Sequence, residues 1–560
     1  MSATQVSVPG VSAPRGVLHR FRIVGLLAIQ AALLLYGVWQ TGITADEPNH
    51  ILGAHFYWHN SKAYPLPDLA PLLKIAAGWA PAAVGLEMPS VSDPKWQPGA
   101  EWNLAIQWSG DLKDPYYSQV TLASRLPLLI FPLGLSTLVW FWARAEWGPP
   151  AGLLAAAIIA VEPTVLGHGV LVKNDVACAL AYTAFWYVAW RFWQAPTWRT
   201  LAWLAGATLL GISAKLSLLI LAGIAPILIL LRAPRKAWMF LPAFLVLLYA
   251  GLCLVYQGNV RLLESLEVGA VYRHPNAPRA LAWAASAFRW IPVPENLWAG
   301  CSSLILSSAD SPPVYLWGRT YLGGAPWYFL AALAVKVPIG FQVLFLGAGG
   351  LAAWRGVRER DARWLFLLLP PLLYIGLASL SSFQLGLRLI LPALPFGALL
   401  AAAAWQRWRR FVLVAAAAGA MEAMINYPHG ISFFNAWVGG PAQGVNYLVD
   451  SNLDWGQDLP LLKQWMARNQ VSQVRLTYFG ADAPWRYFRD EQLVWDPPPW
   501  SKELAAGRTE LALQPGIYAI SASVLPGHYF EPEYREFYRH FRNRTPTARA
   551  GYSIFIYDVR

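Results

Sequence analysis

Two carboxylates stand side by side in Thr44-Ala-Asp46-Glu47-Pro-Asn-His50. Such a pair can hold a metal ion, bind a cationic group or take a proton from an attacking hydroxyl. Thr44 with Glu47 three residues on equally fits a helix capping box. A second polar group lies in Glu162-Pro-Thr-Val-Leu-Gly-His168-Gly-Val-Leu-Val-Lys173-Asn-Asp175. Asp175 alone is what a helix N-cap asks for, but His168, Lys173 and Asp175 in one short turn exceed what capping needs. Single cations complete the set: Lys74 in Pro71-Leu-Leu-Lys74, then Arg125, Lys215, Lys336 and Arg388. Lys74 either snorkels to lipid head groups or meets a phosphate. Arg125 either snorkels outward or points at an anion. Carboxylates and cations gathered on one face suit an anionic, lipid-linked substrate.

The elements that must position these groups are set by composition. Apolar residues are 56% and charged residues 13% of the 560, against about 25% charged in soluble domains, so most of the surface faces lipid. The 30 Trp and 24 Tyr suit membrane-water boundaries. A net charge of +12 raises the question of nucleic acid, but in a membrane chain the cytoplasmic loops are the first place to look. Cys178, Cys253 and Cys301 have neither disulfide-framework nor zinc spacing.

Apolar runs near 23–42, 121–142, 150–167, 174–192, 200–214, 216–231, 237–257, 326–350, 364–383, 386–405 and 410–426 predict an all-α polytopic membrane protein of about eleven spans. Arg20 and Arg22 before the first run resemble a signal peptide, but Ile43 spoils a cleavage site before Asp46, so the run is taken as a retained helix. With residues 1–22 in the cytoplasm, the alternate connections collect Arg144, Arg191 and Arg199, Arg232 to Lys236, Arg355 to Arg363, and Arg407 to Arg410. The opposite turns carry little besides Lys173 and Lys215, as the positive-inside rule requires. Loops 43–120 and 258–325 and the segment 427–560 then fall outside. Lys336, about ten residues below the outer end of its helix, needs an anionic partner or a wet cavity. The polar end of the chain reads as a small C-terminal α/β domain, with a helical stripe Leu459, Leu462 and Met466 and strands near 474–478, 517–524 and 552–557. Its Asp450-Ser-Asn-Leu-Asp-Trp-Gly-Gln-Asp458 run suits an exposed lid.

Taken in order, the pieces Asp46-Glu47-Pro48, Pro71-Leu-Leu-Lys74, Arg125, Gly167-His168 through Asp175, Trp327-Tyr-Phe with Lys336-Val-Pro338, and Gly386-Leu-Arg388-Leu-Ile-Leu-Pro392 resemble bacterial GT-C glycosyltransferases of the protein O-mannosyltransferase and aminoarabinose transferase type. The run from Tyr427 to Asn435 and on to Asp458 resembles a bacterial branch of that superfamily. The first loop departs from the pattern: Asp68-Leu-Ala-Pro71 stands where many relatives carry Glu-His-Pro-Pro, leaving Asp68 a lone acid. The resemblance implies a polyprenyl-phosphate sugar donor, a lipid, glycan or protein acceptor, and an active site on the outer face of the bacterial cytoplasmic membrane. It implies Asp46 as base with Glu47 beside it, Asp175 as an organiser of the site, and Lys74, Arg125, His168, Lys173, Lys215, Lys336 and Arg388 around the donor. No cofactor is required by it, although the acidic pairs allow a divalent cation. Two other classes compete: a lipid flippase using Lys336 and Arg388 in a central path, and a catalytically silent relative whose C-terminal segment binds an envelope partner. Nucleic acid is not an expected partner.

Overall fold

The computed structural model describes residues 15–59, 70–83, 101–263, 289–309, 311–500, 502–505 and 507–560. Helix α1 (Arg15–Gln40) leads through a turn to α2 (Glu47–His59), followed by α3 (Pro71–Ala83) and α4 (Glu101–Asp111). Then come α5 (Tyr116–Arg125), α6 (Ile130–Trp147), α7 (Pro149–Val161), α8 (Pro163–Gly169) and α9 (Asp175–Gln194). Among the described residues five helices are long and apolar enough to cross a membrane, and six if α7 and α8, bent by 58°, make one span. The bend has a local cause: Pro163 opens α8, and the Glu162 side chain accepts the Val165 N–H at 2.7 Å as its N-cap. The expected runs near 174–192, 200–214 and 216–231 are helices without meeting that standard of length and apolarity.

The runs at 386–405 and 410–426 are two helices that meet at a kink inside the expected connection. They join in one segment, Leu394–Ile425, broken only at Trp408 (φ −129°, ψ 40°). The part before the kink is buried in the bundle, from Leu394 to Ala404, whereas the part after it exposes Phe411, Val414, Met421 and Ile425. The run at 326–350 divides at Pro338 into Tyr328–Lys336 and Ile339–Glu359, because proline cannot continue the hydrogen-bond ladder.

Strands β1 (Val260–Leu262) and β2 (Pro292–Pro294) form one antiparallel pair, and β3 (Val314–Leu316) and β4 (Arg319–Tyr321) another. Near the C-terminus a five-stranded sheet has the order β6-β5-β7-β9-β8. Its strands are β5 (Val474–Thr477), β6 (Leu493–Trp495), β7 (Gly516–Ser521), β8 (Ala548–Ala550) and β9 (Ile554–Val559). β5 is parallel to β6 and β7, while β9 is antiparallel to β7 and β8. Helix Leu459–Arg468 lays Leu462 and Met466 on this sheet beside Val474, Leu476 and Ile556, the stripe its apolar spacing predicts.

The segment 450–458 is not an exposed lid. Ser451, Asn452, Leu453, Asp454, Trp455 and Asp458 are each at most 2% exposed. The segment lies along the exit of α1, where Gly42 N–H donates to the Gln457 carbonyl and Ala45 N–H to the Trp455 carbonyl, both at 2.9 Å. Its composition is polar because its polar atoms are consumed internally, and composition alone does not separate that case from exposure. The Gly167–Gly430 contact holds the neighbouring 428–432 turn against α8, since a Cβ on Gly167 would meet the Ile431 nitrogen at 2.6 Å.

Candidate active site

Asp46 ends the turn after α1, and its Oδ2 accepts Lys173 Nζ at 2.5 Å. Lys173 also faces His50 Nε2 at 2.8 Å, His50 lying one turn further along α2 on the same face. Asp175, the first residue of α9, does not cap its helix. Its side chain instead accepts Lys215 Nζ at 2.7 Å and Arg388 Nη1 at 3.3 Å. Arg388 Nη2 stands 3.8 Å from Asp46. The two acidic motifs and the cations Lys173, Lys215 and Arg388 therefore form one cluster. Three cations contact two carboxylates directly, and a third carboxylate, Asp450, acts on Arg388 from further away. Asp46 and Lys215 keep side-chain exposure of 20% each and Lys173 12%, so the cluster opens on that edge.

Charge states follow from these neighbours. Burial raises the affinity of Asp46 for a proton, but Lys173 and then Arg388 oppose it more strongly, and the net effect holds the carboxyl below its ordinary range. Burial lowers Lys173 most; Asp46 pulls the other way and Arg388 adds to the lowering, leaving the amine below the usual lysine range. Burial, followed by Lys173, holds the His50 imidazole well below its usual value. His50 is thus neutral, and its Nε2 is an acceptor for Lys173.

Several expected site residues are placed elsewhere. Glu47 is fully buried and accepts the Thr44 N–H at 2.9 Å, the Val172 N–H at 2.9 Å, and Arg125 through Nε at 2.8 Å and Nη2 at 2.6 Å. Arg125 gives its remaining N–H groups to the carbonyls of Val38, Thr41 and Gly42. With every donor of the guanidinium engaged, Arg125 has none for a phosphate, and the pair ties α1, α2 and α5 together instead. Lys336 makes no ion pair among the described residues, Glu162 acting on it from a distance; its Nζ donates to the Ile431 carbonyl at 2.7 Å and to the Asn452 carbonyl, and lies 4.6 Å over the Phe434 ring. Lys74 is 3% exposed in α3, so it does not snorkel. His168 is 3% exposed, with its ring 5.7 Å from that of Trp455 and its Nδ1 unpartnered. Asp68 lies outside the described residues.

Sequence reasoning missed His50, Ser451 and Trp455. Ser451 Oγ accepts Arg388 Nε at 2.9 Å, and the Trp455 ring lies 4.3 Å from the Arg388 Cζ and 5.8 Å from Lys173 Nζ. The one available signal for His50 was its spacing of four from Asp46. For a divalent cation the donor set is a poor fit. Among the described residues no three His, Cys, Asp or Glu converge on one point, and Asp46 and Asp175 are already matched with ammonium and guanidinium groups.

No family profile matches the chain, and no curated protein sequence matches it. Among solved structures, ArnT from Cupriavidus metallidurans in the apo state is similar at 12% identity and a TM-score of 0.47, over 96% of this chain and 98% of that one. The same protein bound to undecaprenyl phosphate gives 12% identity and a TM-score of 0.44, over 97% and 98%. The apo oligosaccharyltransferase of Archaeoglobus fulgidus gives 13% identity and a TM-score of 0.42 over 86% of this chain. The chain spans 64% of that oligosaccharyltransferase's length.

Proposed function

We propose that the chain is a glycosyltransferase of the bacterial cytoplasmic membrane, moving a sugar from a polyprenyl-phosphate carrier to an acceptor on the outer face. The observation that carries this reading is the convergence of Lys173, Lys215 and Arg388 on the partly open Asp46–Asp175 cluster, at the end of a membrane-length helix. Three cations gathered at one point can hold a lipid phosphate that arrives from the bilayer side. The orientation read from the arginines, N-terminus in and C-terminal segment out, with about eleven crossings, belongs to the same proposal.

In the proposed step an acceptor hydroxyl attacks the anomeric carbon as the bond to the phosphate oxygen breaks on the opposite side, inverting the centre. The hydroxyl proton goes to Asp46, which its cationic neighbours keep ionised. The electron pair leaves with the polyprenyl phosphate, and Lys173, Lys215 and Arg388 stabilise the charge that grows there. Asp175 holds Lys215 and Arg388 in place for that role. An acceptor that is itself a phosphate needs no base, and Asp46 then only orients the cations. A flippase path through Lys336 has little support, since protein carbonyls already hold that amine.

The test is release of undecaprenyl phosphate from synthetic undecaprenyl-phosphate-linked sugars by the purified full-length protein, with detergent-solubilised envelope lipids and glycans as acceptors. Turnover with at least one donor is expected. Lipid movement across vesicles without cleavage of any donor would overturn the proposal in favour of transport.

A further inference from the structure

Arg388 is held more by the C-terminal segment than by its carboxylates. Its contacts to Asp175 and Asp46 are long, 3.3 and 3.8 Å, whereas Ser451 Oγ accepts its Nε at 2.9 Å and the Trp455 ring covers its Cζ at 4.3 Å. The same ring has Lys173 Nζ at 5.8 Å and the His168 ring at 5.7 Å. Two like charges thus share the neighbourhood of one aromatic face, whose negative quadrupole offsets part of their repulsion. The ring is itself fixed. Trp455 is 2% exposed, its N–H donates to Gln457 Oε1 at 2.7 Å, and its carbonyl accepts the Ala45 N–H next to Asp46. Ser451 is anchored in turn by donating to the Leu385 carbonyl at 2.7 Å.

We infer that Trp455 and Ser451 are positioning residues of the transfer site: the segment 450–458 supplies an aromatic floor and a hydroxyl anchor that aim Arg388 at the departing phosphate. This deepens the proposed function and rests on it. It makes the C-terminal segment part of the active site, which neither a removable lid nor a partner-binding tail would be. Arg388 Nη2, the least tightly held end of the guanidinium, is the group left to meet the anion.

The experiment measures kcat and KM for a turned-over undecaprenyl-phosphate sugar with the full-length protein in nanodiscs. In Trp455→Leu the ring face is lost and kcat falls about tenfold or more, the scale of a desolvated cation–π contact. Trp455→Phe, which keeps a ring, stays within about threefold of wild type, since cation–π contacts weaken but persist over phenyl. Ser451→Ala lowers kcat about tenfold, as for a lost hydrogen bond to a charged donor, with KM and the unfolding temperature little changed. Wild-type kcat in Trp455→Leu, or equal losses in the Phe and Leu variants, overturns the aromatic part. Wild-type kcat in Ser451→Ala overturns the anchor, and the Phe and Ala variants decide the matter if Trp455→Leu does not fold. No donor turnover by the wild-type protein would instead remove the proposed function itself.

Discussion

Asp46 and Asp458 flank the same stretch of backbone pairing, Gly42 to Gln457 and Ala45 to Trp455, yet their surroundings are opposite in kind. Asp46 meets an ammonium and a guanidinium and is held below the ordinary carboxylate range. Asp458 meets the backbone N–H groups of Tyr552 and Ser553 at 3.2 and 3.1 Å, and burial pushes it up. Asp454 behaves the same way, burial outweighing amide donors and pushing it up to about 8, and in Asp450 burial outweighs the Tyr529 hydroxyl, the Ser451 amide and the more distant Arg388. The lesson is that burial does not set the charge of an aspartate; the partner does. One set is built to stay ionised and do electrostatic work, the other to cross-brace a segment.

The most damaging way to probe this contrast is to make the same substitution in both sets. Asp46→Asn is expected to lower turnover about 10²–10⁴-fold, the range for a lost general base, while donor binding persists. Asp458→Asn keeps the oxygen that accepts both N–H groups and changes stability by about 1 kcal/mol, with turnover near wild type. Equal effects of the two substitutions on kcat would erase the distinction.

Glu47→Gln sharpens it from a third side, because Glu47 is paired with Arg125 yet structural. Neutralising it strands the buried Arg125 charge and is expected to cost about 3–5 kcal/mol of stability, read in thermal unfolding. The pH profile of the remaining turnover should be unmoved, and a shifted profile would return Glu47 to the chemistry.

A gentler probe is pH. Turnover should rise through an acid limb below the ordinary aspartate pKa of about 3.9, because Asp46 is depressed, and fall through an alkaline limb below the ordinary lysine pKa of about 10.4, because Lys173 is depressed. An alkaline limb at or above the lysine value would contradict the burial argument for Lys173. In stability the two aspartates carry opposite signs. The depressed Asp46 contributes stability above its unfolded pKa that is lost as pH falls through its folded value. The raised Asp454 contributes stability at low pH that is lost as pH climbs from its ordinary 3.8 to about 8. Unfolding of the C-terminal segment, followed by hydrogen exchange, should therefore become easier across that window.

Much of this arrangement was legible in the sequence. Asp46, Lys173, Asp175, Lys215 and Arg388 stood out because charges are costly in an apolar bundle, and the structure brings all five together. The apolar stripe of Leu459, Leu462 and Met466 and the three late strands were readable from periodicity. Pairing partners were not. Nothing local to Glu47 or Arg125 says that each finds its counter-charge 78 positions away, and nothing in Asp450 to Asp458 distinguishes an exposed acidic run from a buried one. Arg407, Arg409 and Arg410 marked the break between two apolar runs, and the kink at Trp408 falls among them.

Lys336 ties the architecture to the order in which it is made. Its helix, Tyr328–Lys336, leaves the ribosome about a hundred residues before the Ile431 and Asn452 carbonyls that satisfy the amine exist. Until they arrive, an ammonium inside the bundle must keep water around it. Drying of that interior is therefore expected to wait for docking of the C-terminal segment, and a chain truncated before Asn452 should exchange the amide hydrogens around Lys336 faster than the full-length protein.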